Sequence, residues 1–267
     1  MSKTLFEYAQ DGDAKNVEAC LQQGADTQQL TNGWTPLHVA AECLHIDVVS
    51  LLLANGADPN ALGGTERASP LRQLLRIAKD LPVDMTLTVK RDGKDVVITD
   101  PDEIDRITGN NQATANRRAL AVAKLLLDAG SDVSIPANDT YTPALFATHS
   151  QCIDILRMIC AVESFDPSGT DSTGMTALHM AVRNRRVDIA RMLVETGVPV
   201  NHAESYGYTA LHEAASARHL EMAQLLLDAG ADRTSKTTRS DSGIPAGSTP
   251  HDIAKRRGAT ELAKLLA

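Results

Sequence analysis

One feature constrains this chain more than any other: a short motif returns along it in a fixed frame. Stretches that begin at a hydroxyl residue read TPLHVAAE from Thr35, SPLRQLLR from Ser69, TPALFATH from Thr142, TALHMAVR from Thr176, TALHEAAS from Thr209 and TPHDIAKR from Thr249. Successive starts lie 34, 73, 34, 33 and 40 residues apart. A second apolar run follows, as in VVSLLLANGAD, VAKLLLDAGSD, IARMLVETGVP and MAQLLLDAGAD. Self-similarity at this period means that one supersecondary unit is copied and that no copy buries its apolar face alone.

The unit itself is legible in TALHEAASARHLEMAQLLLDAGAD. Its apolar positions recur at helical spacing, and a break near Ala217–His219 separates two short helices. Gly230 stands where the second helix must stop, in the position of a left-handed C-terminal cap. Composition supports stacked small helices rather than one large core. Hydrophobic residues make up 43% and charged residues 22% of 267, whereas aromatics are only 3%.

The Thr-Pro-Leu-His tetrapeptide, the short turn and the LLLxxGAD run together resemble the ankyrin repeat. The resemblance covers nearly the whole chain, because several copies keep one register. It implies an all-α solenoid of about seven helix-turn-helix units. These are an N-terminal cap over 1–28, repeats over 29–61, 62–134, 135–168, 169–201 and 202–234, and a C-terminal cap over 235–267. It also implies a binding module without catalysis, which meets a protein partner at a concave surface of loop tips and first helices.

His38, His179 and His212 share one repeat position. A metal or catalytic role would need other ligands converging on them, yet a solenoid keeps equivalent residues about 10 Å apart, the spacing of packed helices. The expectation is therefore structural: Thr and His hydrogen-bond the neighbouring turn and brace successive loops. Arg72 and Leu145 occupy the same slot in two other units, where this contact is expected to be lost.

The spacing of 73 marks an insertion over about 80–118, between the two helices of the third unit. Its stretch TLTVKRDGKDVVIT carries two alternating runs around Asp92-Gly93, the signal of a β-hairpin. A two-residue turn pairs Arg91 with Lys94, Lys90 with Asp95, Val89 with Val96 and Leu87 with Ile98. The following TDPDEIDRITG supplies Asp100 as N-cap, Pro101 at the first helical position and Glu103 at capping-box spacing. A lone hairpin is marginal in water, so its apolar face must pack on something. Two readings stand side by side: the appendage covers its own solenoid, or it meets the partner through Lys90, Arg91 and Lys94.

Chemistry of other kinds finds no support. GxSxG, GxxxxGK and HExxH motifs are absent, and no CxxC pair occurs among Cys20, Cys43, Cys152 and Cys160. The expectation is a protein with no enzyme activity, no cofactor and no metal. A net charge of −8 argues against nucleic acid as partner, and the Arg183/Arg185/Arg186 and Lys255/Arg256/Arg257 clusters read as solvated helix faces. No apolar stretch reads as a signal peptide or membrane span. A cytoplasmic monomer without nucleic-acid or membrane contacts is expected.

The resemblance places partner contacts at the variable positions around each loop tip and after the first-helix core. Carried over, these include Asn32, Trp34, Glu42, Arg76, Asp139, Tyr141, His149, Met175, Arg183, Tyr206 and Tyr208. The slot before each hydroxyl reads Trp34, Ala68, Tyr141, Met175, Tyr208. Loop tips face solvent by default, and Trp and Tyr dominate protein–protein hot spots, so this row is expected to form a binding stripe. A stoichiometric binding module is the primary reading. The resemblance also permits a dedicated inhibitor or immunity-type protein that neutralises a toxin or enzyme, or a secreted effector.

Overall fold

A computed structural model describes residues 3–78, 87–91, 94–108 and 112–267. The chain divides into two compact units, one formed by Met1–Asp139 with Cys152–Ser164, the other by Thr140–Gln151 with Phe165–Ala267.

The first unit opens with α1 (Leu5–Asp11) and α2 (Ala14–Gln22), followed by α3 (Pro36–Glu42), α4 (Ile46–Ala54) and α5 (Pro70–Ala78). Then come β1 (Leu87–Arg91), β2 (Lys94–Ile98), α6 (Pro101–Thr108) and α7 (Gln112–Asp128). α8 (Pro143–His149) belongs to the second unit, and α9 (Ile153–Cys160) returns to the first. First helices pack in sequence, α1 on α3 and α3 on α5, and second helices do likewise, α2 on α4, α4 on α7 and α7 on α9. Leu37, Val48, Leu52, Leu71, Leu74, Leu126, Leu156 and Ile159 are fully buried between these layers.

The second unit continues with α10 (Ala177–Arg183), α11 (Val187–Glu195), α12 (Ala210–Ser216), α13 (Leu220–Asp228), α14 (Pro250–Arg256) and α15 (Thr260–Leu265). Its first helices pack in the order α8, α10, α12, α14, and its second helices in the order α11, α13, α15. Leu178, Ile189, Leu193, Leu211, Leu226 and Ile253 form the core. Each first helix is only seven residues long, too short to persist alone in water. Packing against neighbours on both sides supplies the stability that local propensity cannot.

The insertion lies between α5 and α7. β1 and β2 are antiparallel, in the register Leu87↔Ile98, Thr88↔Val97, Val89↔Val96, Lys90↔Asp95, Arg91↔Lys94. The backbone N–H of Ile104 donates to the Asp100 carbonyl (2.9 Å), closing the first turn of α6. α6 packs on α7, Ile104 is fully buried and Ile98 is 5% exposed. The appendage therefore leans on the second helix of its own repeat. That helix starts at Gln112, a turn or more before the RALAVAKLLLDAG stretch that marks it in the sequence. The Asp92-Gly93 turn and the side chains of Lys90, Arg91, Lys94 and Asp95 lie outside the described residues.

The turns between paired helices share one backbone device. Gly12, Leu44, Gln151, Arg185, Arg218 and Gly258 all occupy left-handed conformations, with φ between 54° and 74°. Glycine adopts this region freely, whereas a side chain there is strained.

A candidate partner-binding surface

The loops that would form a binding surface are tied together by the repeated histidine. In α3 the Nδ1 of His38 accepts from Thr35, from its backbone N–H (3.3 Å) and its hydroxyl (2.7 Å). The Nε2–H then donates to the carbonyl of Ala68 in the next loop (2.9 Å). His179 makes the same contacts with Thr176 and with the Tyr208 carbonyl (3.1 Å), and His212 with Thr209 and the Ser248 carbonyl (3.2 Å). All three rings are at most 1% exposed. Burial pushes each below the ordinary histidine range, that of His179 to about 4, so the rings stay neutral and Nδ1 remains an acceptor. The structural expectation for this motif holds.

Arg72 departs from its expectation. It is 3% exposed and forms an ion pair with Asp139, a residue of the following loop. The position without histidine thus still bridges to the next repeat, by charge rather than by a neutral ring. Desolvation pushes the Arg72 guanidinium below its usual value, and Asp139 opposes that shift. At Leu145 the brace is absent but the cap survives, because the Thr142 hydroxyl accepts from the Leu145 N–H (3.4 Å).

In the first unit, Thr31 and Trp34 pair across a two-residue turn in which Asn32 (φ 53°) and Gly33 (φ 85°) are both left-handed. That is the geometry of a type I′ turn and explains why Asn-Gly stands there. Asn32 is exposed at the tip. The Trp34 indole is half-buried and lies over the next loop: a Cβ on Gly63 would come within 2.8 Å of it, and one on Gly64 would overlap the ring. It also meets the His38 ring edge-on at 5.2 Å. Glu42 and Arg76 face each other across α3 and α5 at 3.7 Å.

In the second unit, Tyr141 is half-buried beside the exposed His149 (ring centroids 5.8 Å apart). Met175, Arg183, Tyr206 and Tyr208 line one cleft of about 360 Å³. Arg183 donates to the Met175 sulfur (3.0 Å) and its Nε lies 3.3 Å from Glu213. Burial pushes the Glu213 carboxyl up, against the opposing pull of Arg183. Tyr206 is 42% exposed, with the Arg239 guanidinium 5.8 Å from its ring centre. Glu204 shapes the loop by accepting from the backbone N–H groups of Tyr206 (2.9 Å) and Tyr208 (3.1 Å).

Tyr208 corrects the solvent-facing premise of the aromatic row. It is only 5% exposed, and Ala68 in the same slot is 1% exposed. Ala68 and Tyr208 thus turn inward while Trp34, Tyr141 and Met175 in the same slot stay partly exposed, and Tyr206, two positions before Tyr208, is the exposed aromatic of its loop. Glu204, Glu213, Asp241, Ile244 and Arg257 complete the cleft and were missed by sequence reasoning. Asp241 and Ile244 come from the enlarged loop before Thr249, where an Asp241↔Ile244 bridge folds the chain back. The Ser/Gly/Pro-rich run reads as an enlarged hairpin loop in the sequence, and the bridge agrees with that reading.

No group of three or more His, Cys, Asp or Glu side chains arranged to hold a metal ion is found among the described residues. No helix among them is long and apolar enough to cross a membrane.

Paired short helices stacked by like on like, with loops tied in register, define a repeat scaffold for binding other proteins. The chain belongs to the ankyrin repeat family. A model of three ankyrin repeat copies matches residues 110–204 and 162–237, and a single-repeat model matches 32–63, together more than half of the chain. Among curated proteins it is similar to the 2-5A-dependent ribonuclease of Mus musculus, 44% identical over 59 residues, which is 21% of this chain and 8% of that protein. It is also similar to ankyrin repeat domain-containing protein 40 of Mus musculus, 36% identical over 84 residues, or 31% of this chain and 20% of that one. The mitochondrial disaggregase of Bos taurus is 29% identical over 163 residues, covering 57% and 22% of the two chains. The matches thus span about a fifth or less of these relatives. Among solved structures, the ankyrin repeat domain of Bcl-3 superposes with a TM-score of 0.73 at 20% identity, covering 98% of both chains. An ankyrin repeat domain from Acinetobacter baumannii gives 0.64 at 26% identity, covering 86% of this chain and 95% of that one.

Proposed function

We propose that this protein binds a protein partner stoichiometrically through the loop and first-helix face, with the cleft of the second unit as its principal contact. The observation that carries this reading is the convergence on one cleft of Met175, Arg183, Tyr206 and Glu213, from successive repeats whose loops are braced by buried histidines. A surface rigid before contact loses little conformational freedom on binding. Tyr206 offers an exposed amphipathic ring beside fixed charges, the chemistry of an interface anchor.

The test is affinity capture from native lysate with mass spectrometry, comparing wild type with Tyr206→Ala/Met175→Ala and with a variant carrying a Gly/Ser linker in place of residues 82–108. A protein retained by wild type and by the linker variant, but lost from the double mutant, supports the cleft. Retention by the double mutant with loss from the linker variant moves the contact to the insertion and refutes this placement.

A further inference from the structure

Two basic clusters about seventy residues apart in sequence, around Arg183 and around Arg257, are brought to one edge of the second unit by the packing of α10, α12 and α14. The turn between α12 and α13 lies between them. On one side Arg185 donates to the carbonyl of Ala217 (3.2 Å), and on the other Arg257 donates to the hydroxyl of Ser216 (3.5 Å). Arg218 belongs to the same turn. These three, with Lys255 and Arg256, are exposed. Arg183 and Arg186 are engaged by Glu213 and Asp188. Among the described residues no carboxylate lies within ion-pair distance of the other five.

Arg185 and Arg218 hold φ values of 57° and 54° in the left-handed turn slot that Gly12, Gly258, Leu44 and Gln151 also occupy. Glycine would relieve strain at both sites, so both charges can be removed by a substitution that the backbone favours.

We infer that this arginine edge receives a carboxylate-rich segment of a protein partner. The inference extends the protein-binding reading above by giving the partner's chemistry at one boundary of the cleft. Planar guanidinium groups suit bidentate contact with carboxylates. The contact is confined to the edge, because Glu204 and Asp241 line the same cleft as Arg183 and Arg257 and repel any polyanion that continues into it. The chain as a whole carries −8, so the attraction is confined to this edge.

The experiment is fluorescence anisotropy with a fluorescein-labelled oligoglutamate peptide at low ionic strength, using the full chain and Arg185→Gly/Arg218→Gly. The variant removes two charges and two strained side chains together. Its thermal midpoint is expected to equal or exceed that of wild type, while its affinity for the peptide falls at least tenfold. Peptide binding unchanged in the glycine variant, or absent from wild type, overturns the inference. Tighter binding of a single-stranded oligonucleotide of equal charge overturns it too, by making the edge a phosphate site. Capture through the cleft is read separately by the Tyr206→Ala/Met175→Ala variant, so failure of this inference leaves the protein-binding reading intact.

Discussion

Acid should loosen this protein through His179. The ring is 1% exposed, its Nδ1 accepts from Thr176 and its Nε2–H donates to Tyr208. Protonation removes the acceptor on which the cap of α10 depends and places a charge where water cannot reach it. Burial is the main cause of the fall from 6.5 to about 4 in the folded state, with His202 and Arg183 adding repulsion. The unfolded chain keeps the ordinary value, so it takes up a proton first as pH falls. Stability is then present above about 6.5 and is lost as pH drops through 4. Integrating the linkage relation between pH 7 and pH 5 gives a loss of about 2 kcal/mol from this one ring, at nearly 1.4 kcal/mol per pH unit over the lower part of that range. The assay is urea unfolding followed by far-ultraviolet circular dichroism, for wild type and His179→Gln at half-unit steps of pH. Glutamine does not titrate, so the difference between the two proteins should shrink by about 2 kcal/mol on acidification, or about 1 M in urea midpoint. Parallel curves over this range would refute the argument, since they would mean that His179 is neither desolvated nor an obligate acceptor.

Three further outcomes are expected. Gly64→Ala, at φ 67° with its added Cβ inside the Trp34 ring, should cost about 1–3 kcal/mol and red-shift emission from Trp34, the chain's single tryptophan, which fluorescence reads directly. Asp139→Ala removes an ion-pair partner of the buried Arg72 and should destabilise by about 2 kcal/mol, below the full cost of breaking a buried pair because Asp139 is half-exposed; Arg72→Leu/Asp139→Ala should recover part of this in thermal melts. Leu44→Gly, at φ 58°, should stabilise by about 0.5–1 kcal/mol, measured by the same melts.

Repetition made most of the fold readable. Six copies of one tetrapeptide frame locate the first helices, and the Thr–His cap is visible because both partners lie three residues apart in every copy that has them. The hairpin register is equally local, set by Asp92-Gly93 and the alternation around it. What stayed hidden was contact between repeats. Arg72 reaches Asp139 across 67 residues, and nothing at Arg72 signals that its charge is answered there. Tyr208 was read as a surface aromatic because loop tips face water by default, yet Glu204 folds that loop so that the residue before Thr209 points inward. The proposed arginine edge is likewise a product of packing, since its members adjoin only once α10, α12 and α14 are stacked.

The contacts of the histidine in the Thr-Pro-Leu-His frame all run one way, whereas His45 and His202 reach back to Gln10 and Gly174. His38 reaches forward to Ala68, His179 to Tyr208 and His212 to Ser248, and Arg72 reaches forward to Asp139. A first helix that carries the brace therefore draws part of its stability from the repeat after it. Within each unit this gives the stack a polarity that its geometry does not display. Loss of the last repeat would unseat His212 and propagate backward, one helix at a time. Loss of a leading repeat would leave every remaining contact of this kind in place. Of the braces in the second unit, the outermost hangs on the C-terminal repeat through Ser248, so their fraying is expected to start there.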